Sequence, residues 1–312
     1  MADSNTERIS IIIATKDRET DLKRCIDSIS NQTTSPGEVI IVDDGNIESE
    51  LIDSFNRELP NETNLIVTDS EGPPGLSVAR NTGIRAASGE IVLTLDDDAE
   101  IGTDYLQRVQ SWFREVEDPN FVGVAGFDDR LREVSEKERI IRKLLLLEEG
   151  GWKINKVGIQ SRSVGIDRPT KADWMPGYNF AYRRDVIIDH LFPQYNGGRE
   201  ALEDIAVGWE LSKEGKYCII DPDLPVRHYD PPKQDSGYEI GVKHGQNRVR
   251  YFKKYGTTRH WPLFLWAMVG VLLLEVLAPL FTNRLYFHWT KAVGILVGVG
   301  KKIPKKVEEP IR

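Results

Sequence analysis

Cysteine is scarce. Cys25 and Cys218 are the only two in 312 residues, which excludes a disulfide framework or a thiolate metal site and leaves two reduced, mostly buried thiols. Residues 1–10 are polar and acidic, with no apolar stretch. No signal peptide is expected there, and the N-terminal body is expected to stay in the cytoplasm. Internal repeats and low-complexity tracts are also missing, as for an ordinary globular body. Basic charge is short in that body. Residues 1–240 carry 28 Lys and Arg against 46 Asp and Glu, whereas residues 241–312 carry 13 against three. A body at −18 offers no basic surface to nucleic acid, which is excluded as a partner, while a tail at +10 suits anionic lipid.

What is present alternates. The run ISIIIA (residues 9–14) is continuously apolar, as for a strand buried on both faces. Helical spacing follows over 20–31, a second strand (VIIV, 39–42), a helix near 47–59, a third strand at 65–68, a helix over 77–87 and a fourth strand, IVLTL (91–95). This alternation predicts an α/β fold with a mostly parallel, doubly wound sheet flanked by helices, ligands binding at the carboxyl ends of the strands. Beyond it, helices are expected over 104–116, 135–149 and 202–213, and strands over 121–127, 174–182 and 217–220, with 150–171 rich in loop.

Residues 261–281 (WPLFLWAMVGVLLLEVLAPLF) carry one charge, Glu275. As a helix they would reach about 31 Å, the thickness of a hydrocarbon layer. A shorter apolar piece at 285–300 contains His288 and Lys291, and basic residues flank both ends. The expected organisation is an α/β domain at 1–240, a basic juxtamembrane segment at 241–260, an apolar membrane anchor at 261–300 and a basic cytoplasmic tail at 301–312. If positive flanks stay cytoplasmic, the anchor enters and returns as a hairpin or a re-entrant segment.

The sharpest chemical signal is Asp96, Asp97 and Asp98, directly after the fourth strand. If strand geometry continues, Asp96 and Asp98 point the same way, and two such carboxylates suit a hard divalent ion that also binds diphosphate oxygens. An isolated Asp triplet would more simply be a solvated loop; the buried strand before it favours ligation. Asp43, Asp44 and Gly45 hold the equivalent place after the second strand, either as a plain turn or as an acceptor for a base N–H or ribose hydroxyl. The segment GPPGLSVARNTG (72–83) opens a helix and brings Arg80 for phosphate or base.

Together these residues resemble the family-2 inverting glycosyltransferases of the GT-A, Rossmann-like fold. The likeness covers about residues 8–230 and rests on SIIIATKDRETDLKRCIDSI, VIIVDDG, GLSVARNTGIRAASGEIVLTLDDD, PGYNFAYRRD and ALEDIAVGWEL in that order. One departure is Ala14, where the family commonly has Pro. The resemblance implies that Thr15, Asp44, Arg80 and Asp97 hold the donor, a nucleotide diphosphate sugar, most often of uridine. It implies that Asp96 and Asp98, with His228, hold Mn²⁺ or Mg²⁺. It implies Glu203 and Asp204 as the acceptor-side acidic pair, Asp204 being the general base, and Gly177 and Asn179 as lining of the acceptor site. The implied partner is a lipid-linked glycan on dolichol or polyprenol phosphate at the cytoplasmic face of the cell membrane, as in archaeal protein N-glycosylation.

Other readings have their own marks. A polyprenyl phosphate sugar synthase or a surface polysaccharide transferase would share the motifs. A processive synthase carries QxxRW, and Gln246, Asn247 and Arg248 are not followed by Trp. A nucleotidyltransferase needs a glycine-rich triphosphate loop that residues 14–19 lack. A non-catalytic nucleotide-sugar-binding module is disfavoured by the intact Asp96, Asp98 and Asp204.

Overall fold

The computed structural model describes residues 7–128, 130, 135–162, 166–194, 201–229, 236–280, 282 and 284–301. Its first half keeps closely to the alternation: β1 (Ile9–Thr15), α1 (Glu19–Ser30), β2 (Glu38–Asp43), α2 (Ser49–Glu58), β3 (Asn64–Thr68), α3 (Leu76–Ala86) and β4 (Ile91–Asp96). β1 pairs in parallel with β2 and β4, and β2 with β3. Alternation along β1 explains why the run is apolar throughout. Ile9, Ile11 and Ile13 join Leu22, Cys25 and Ile26 of α1 in one core, while Ile12 joins Ala79 and Ile84 of α3 in the other. α3 lies so close to β1 that a Cβ on Gly83 would overlap the Ile12 side chain.

The second half completes a nine-stranded sheet, ordered β3-β2-β1-β4-β8-β6-β9-β5, with β7 also on β9. Its strands are β5 (Ala99–Ile101), β6 (Phe121–Phe127), β7 (Thr170–Ala172), β8 (Asn179–Arg183) and β9 (Tyr217–His228). Its helices are α4 (Tyr105–Glu115), α5 (Glu136–Leu144), the single turn α6 (Arg184–Ile187) and α7 (Glu203–Lys213). β8 runs antiparallel to β4 and β6, and β5 antiparallel to β9, so the sheet is mixed at this end. Both thiols are buried.

Several boundaries differ from the sequence expectation. The helix expected over 135–149 ends at Leu144, where Leu146 turns into the left-handed region at φ 55°. The strand expected over 174–182 begins only at Asn179. The strand expected over 217–220 runs on to His228, because β5 pairs with its far half. The segment expected to be merely basic and juxtamembrane is a 19-residue helix, α8 (Gly237–Tyr255), opened by a reciprocal Ser236–Glu239 cap. Then come α9 (Trp261–Leu277) and α10 (Leu285–Gly300). Thr258–Leu280 is the one helical stretch among the described residues long and apolar enough to cross a membrane, and little of it is buried. The tail expected at 301–312 lies outside the described residues apart from Lys301.

Candidate active site

Strand ends supply the first group of side chains. β4 delivers Asp96, and the tight turn into β5 carries Asp97 and Asp98, both buried. β9 pairs with β5 so that His228 sits opposite Ala99. One ligand atom from each of Asp96, Asp98 and His228 falls within a 4.8 Å cluster. Nε2 of His228 lies 3.0 Å from Oδ1 of Asp98 and 3.8 Å from Oδ2 of Asp96. That Oδ1 is buried, with the His228 imidazole nitrogen as its near neighbour. A buried carboxylate oxygen beside an imidazole nitrogen and a second carboxylate is a donor set that fits a divalent ion accepting mixed N and O ligands.

The histidine is held from four sides. Its backbone N–H donates to Oδ2 of Asp128 at 3.0 Å, its carbonyl accepts from Nη2 of Arg130 at 2.8 Å, and its ring stacks on Tyr178 at 4.6 Å between centroids. The fourth contact is Asp98. Burial works against charge on Asp128, but the Arg130 fork and the His228 N–H outweigh it and bring its pKa down to about 2. Burial likewise opposes charge on Asp98, and His228 and Arg18 more than compensate, so its pKa lies below the ordinary value.

Asp97 behaves differently from its neighbours. Thr15 Oγ1 donates to its Oδ2 at 2.8 Å and Arg18 Nη1 to its Oδ1 at 2.6 Å. Even so, burial pushes its pKa up to about 6. Asp97 therefore organises the loop after β1. Asp44 is tied to the same loop, since its N–H donates to the Thr15 carbonyl at 3.0 Å and its Oδ2 accepts from Gly75 N at 2.7 Å. Thr15, Asp44 and Asp97 thus share one end of the sheet with the metal-type cluster.

Arg80 joins this group to Gly177 and Glu203, two of the residues expected on the acceptor side. Its guanidinium is buried, with Nη2 at 2.8 Å from Asp96 and at 2.6 Å from the Gly177 carbonyl, and Nη1 at 3.0 Å from Glu203. The sequence expectation has it reach for a nucleotide; it is instead occupied by two carboxylates. Glu203 and Asp204 open α7, where the free N–H groups of the first turn favour negative charge. The preceding Leu202 is forced to φ 65°, a backbone cost of the kind that collects at working sites. A Cβ on Gly177 would come within 3.4 Å of Asp204 Oδ2, so Gly177 walls the carboxylate. Burial first, then the Glu203 charge, raise the Asp204 pKa to about 7, against the Ile205 N–H and Arg80.

Asn179 is a correction. It is fully buried, accepting from Tyr105 Oη at 2.6 Å and Gly126 N at 2.9 Å and donating to Gly126 O at 3.2 Å. Its amide fastens β8 to β6 instead of lining an acceptor loop. Sequence reasoning also missed Arg18, Tyr178, Asp128 and Arg130. Tyr178 stands in the quoted PGYNFAYRRD motif, beside Gly177, but its stacking partner is 50 residues away and invisible in the sequence.

Residues 10–191 match the family model for glycosyl transferase family 2, more than half of the chain, and the chain belongs to that family. Among curated relatives, it is 29% identical over 192 residues to the uncharacterized glycosyltransferase YibD of Escherichia coli, covering 59% of this chain and 51% of that one. It is 24% identical over 214 residues to the glucosyl-dolichyl phosphate glucuronosyltransferase of Haloferax volcanii, covering 68% and 62%. The chain spans about half or less of the length of several relatives it matches. Of solved structures, the mannosyltransferase PcManGT of Pyrobaculum calidifontis, in complex with GDP-Man and Mn²⁺, superposes with a TM-score of 0.58 at 17% identity, over 94% of this chain and 88% of that one. The fold is of the GT-A kind: a mostly parallel sheet flanked by helices, with an apolar C-terminal helix suited to membrane attachment.

Proposed function

We propose that this glycosyltransferase is inverting and metal-dependent, and that it moves a sugar from a nucleotide diphosphate sugar onto a lipid-linked glycan at the cytoplasmic face of a membrane. One observation carries the reading. Arg80 bridges Asp96 of the metal-type cluster and Glu203 beside Asp204, which supports a reading in which the first carboxylate serves the donor and the second pair the acceptor. Thr15, Asp44 and Asp97 border the nucleotide end. Asp96, Asp98 and His228 would hold Mn²⁺ or Mg²⁺, which when bound supplies positive charge for the leaving diphosphate.

Asp204 takes the proton from an acceptor hydroxyl, and its raised pKa suits it to that exchange near neutral pH. The activated oxygen attacks the anomeric carbon from the face opposite the diphosphate, which inverts the configuration. A dolichol- or polyprenol-linked acceptor accords with the likeness to the Haloferax volcanii protein and with the exposed apolar helix at Thr258–Leu280. A role in protein N-glycosylation rests on the same likeness. The catalytic body would be residues 1–240, with attachment through the C-terminal helices.

Purified full-length protein is to be offered UDP-glucose, UDP-N-acetylglucosamine, UDP-glucuronate and GDP-mannose with a lipid-linked monosaccharide, with the released nucleotide measured and the product's anomeric configuration read by NMR. Release of a nucleoside diphosphate with inverted product is expected. Release of a nucleoside monophosphate, or a retained configuration, overturns the proposal.

A further inference from the structure

The C-terminal helices allow a choice between crossing the bilayer and entering one face of it, and this step rests on the membrane attachment proposed above. Length and composition permit α9 to cross. Its neighbours do not. α8 and α10 run side by side in the same direction, packed through glycine. A Cβ on Gly237 would overlap the Phe287 carbonyl, one on Gly241 the Lys291 carbonyl, and one on Gly245 the Ile295 carbonyl; Gly294 and Gly298 return the contact against α8. Such backbone-to-backbone approach needs small residues on both helices. Between α9 and α10, Glu275 meets His288 Nδ1 at 2.9 Å and Lys291 Nζ at 2.6 Å. The end of α9 and the starts of α10 and α8 therefore lie at one level.

That level is close to the active site along the chain. Tyr229 is fixed in the catalytic body, its N–H on the Asp98 carbonyl at 3.0 Å and its Oη on Glu100 at 2.8 Å. Eight peptide links join Tyr229 to Gly237, a reach of at most about 29 Å when fully extended. Hydrocarbon alone is about 30 Å thick. Were α9 to cross, the start of α8 would be carried to the far side, and this short link would have to pass back through lipid as well. It would also draw Glu239, Lys243 and Gln246 of α8 into the bilayer.

Exposure follows the same division. α10 shows Leu285, Trp289, Val293 and Leu296 outward, opposite its glycine face, with Tyr286 beside them; α9 shows Leu265, Val269, Leu273 and Val276. Apart from the Tyr286 hydroxyl near the start of α10, both stripes are hydrophobic. Lys253 and Lys254 close α8, and Arg259 precedes α9, cations suited to anionic headgroups. We propose that α9 and α10 are embedded in one leaflet, on the side that carries the catalytic crevice, and that the turn between them never reaches the opposite face.

Cys25 and Cys218 are buried, so an introduced cysteine is the one an impermeant maleimide reaches. Thr282→Cys marks the turn, and Asn56→Cys marks an exposed position on α2 in the catalytic body. The full chain is expressed in cells, and each variant is labelled in intact cells and in inside-out vesicles. Expected is that Thr282→Cys never labels from the side opposite to Asn56→Cys, and that both label once detergent opens the membrane. Labelling of Thr282→Cys from the opposite side overturns the one-leaflet placement. Recovery of the wild-type chain in the soluble fraction after lysis would instead sink the attachment itself, so the two failures are told apart.

Discussion

Nη2 of Arg80 stands 2.8 Å from Oδ1 of Asp96, in a guanidinium that is almost wholly buried. The same group binds Glu203, so the end of β4 and the first turn of α7, 107 residues apart in sequence, are positioned by one cation. Burial works against its charge, but Asp96 and Glu203 outweigh that and hold its pKa above the ordinary value. A buried cation between two carboxylates contributes little as a set compared with an apolar replacement, but removing one member leaves uncompensated charge.

Arg80→Ala is therefore expected to destabilise the fold by about 3–5 kcal/mol, the scale of breaking a buried pair. Arg80→Lys should fold better yet transfer sugar poorly, because a point charge cannot hold both carboxylates in a fork. Urea unfolding and a transfer assay check the two effects. An Arg80→Ala protein with an unchanged urea midpoint would mean that the three contacts contribute nothing net.

Metal affinity offers a test of the cluster that does not depend on turnover. Asp98→Asn alters one of the three proposed ligands and should abolish both Mn²⁺ binding, read by calorimetry, and transfer. Asp128→Ala touches no ligand position, but it frees the His228 backbone. Loss of such a supporting contact should weaken Mn²⁺ binding by about 10–100-fold. Full activity of the wild type in excess chelator would exclude metal dependence.

The βα alternation made β1 to β4 legible, because a strand buried on both faces must be apolar at every position and the helices between repeat every three to four residues. Asp96 and Asp98 were legible for the same reason: a charged triplet cannot continue a buried strand, so it marks the strand's end. Asn179 misled because a motif fixes neighbours, not direction, and its side chain turns into the core. Tyr178, Asp128 and Arg130 stayed hidden, since their common purpose is to hold His228 across long gaps in sequence. α8 escaped notice because its apolar face is made partly of glycine, which carries no hydrophobic periodicity.

On the mechanism proposed above, the pH profile depends on Asp204. A base must be deprotonated to act, and burial and the Glu203 charge raise its pKa to about 7. Below that, kcat/KM should fall with each unit of pH in proportion to the ionised fraction, and above it level off. Glu203→Gln removes the like charge and frees Arg80 to act more strongly on Asp204. Both changes lower the Asp204 pKa, so the acid limb should move to lower pH. A limb that stays in place or moves upward would remove Glu203 from the account.

With Asp204 as the proposed base, the choice of acceptor turns on why a base would be needed at all. A polyprenyl phosphate oxygen is already anionic near neutral pH and can attack unaided, whereas a sugar hydroxyl is a poor nucleophile until its proton is taken. A carboxylate walled by Gly177 and raised toward neutrality is useful for the second case and superfluous for the first. The competing reading is that Asp204 only caps α7 or pairs with a neighbour. The N-cap position is Leu202 and no side chain caps it; Arg199, the imaginable partner, lies outside the described residues. Oδ1 of Asp204 accepts from the next N–H, that of Ile205, at 2.8 Å, while Oδ2 lies on the Gly177 side. Asp204→Asn should keep the Ile205 contact and the fold, leave nucleotide affinity nearly unchanged and lower turnover by ~10²-fold or more, the scale of losing a general base. Wild type and variant are to be given bare polyprenyl phosphate beside the same lipid carrying one sugar. Wild type should prefer the glycosylated lipid. A preference for the bare phosphate, with Asp204→Asn still active on it, would mean that the enzyme begins a lipid-linked chain and does not extend one.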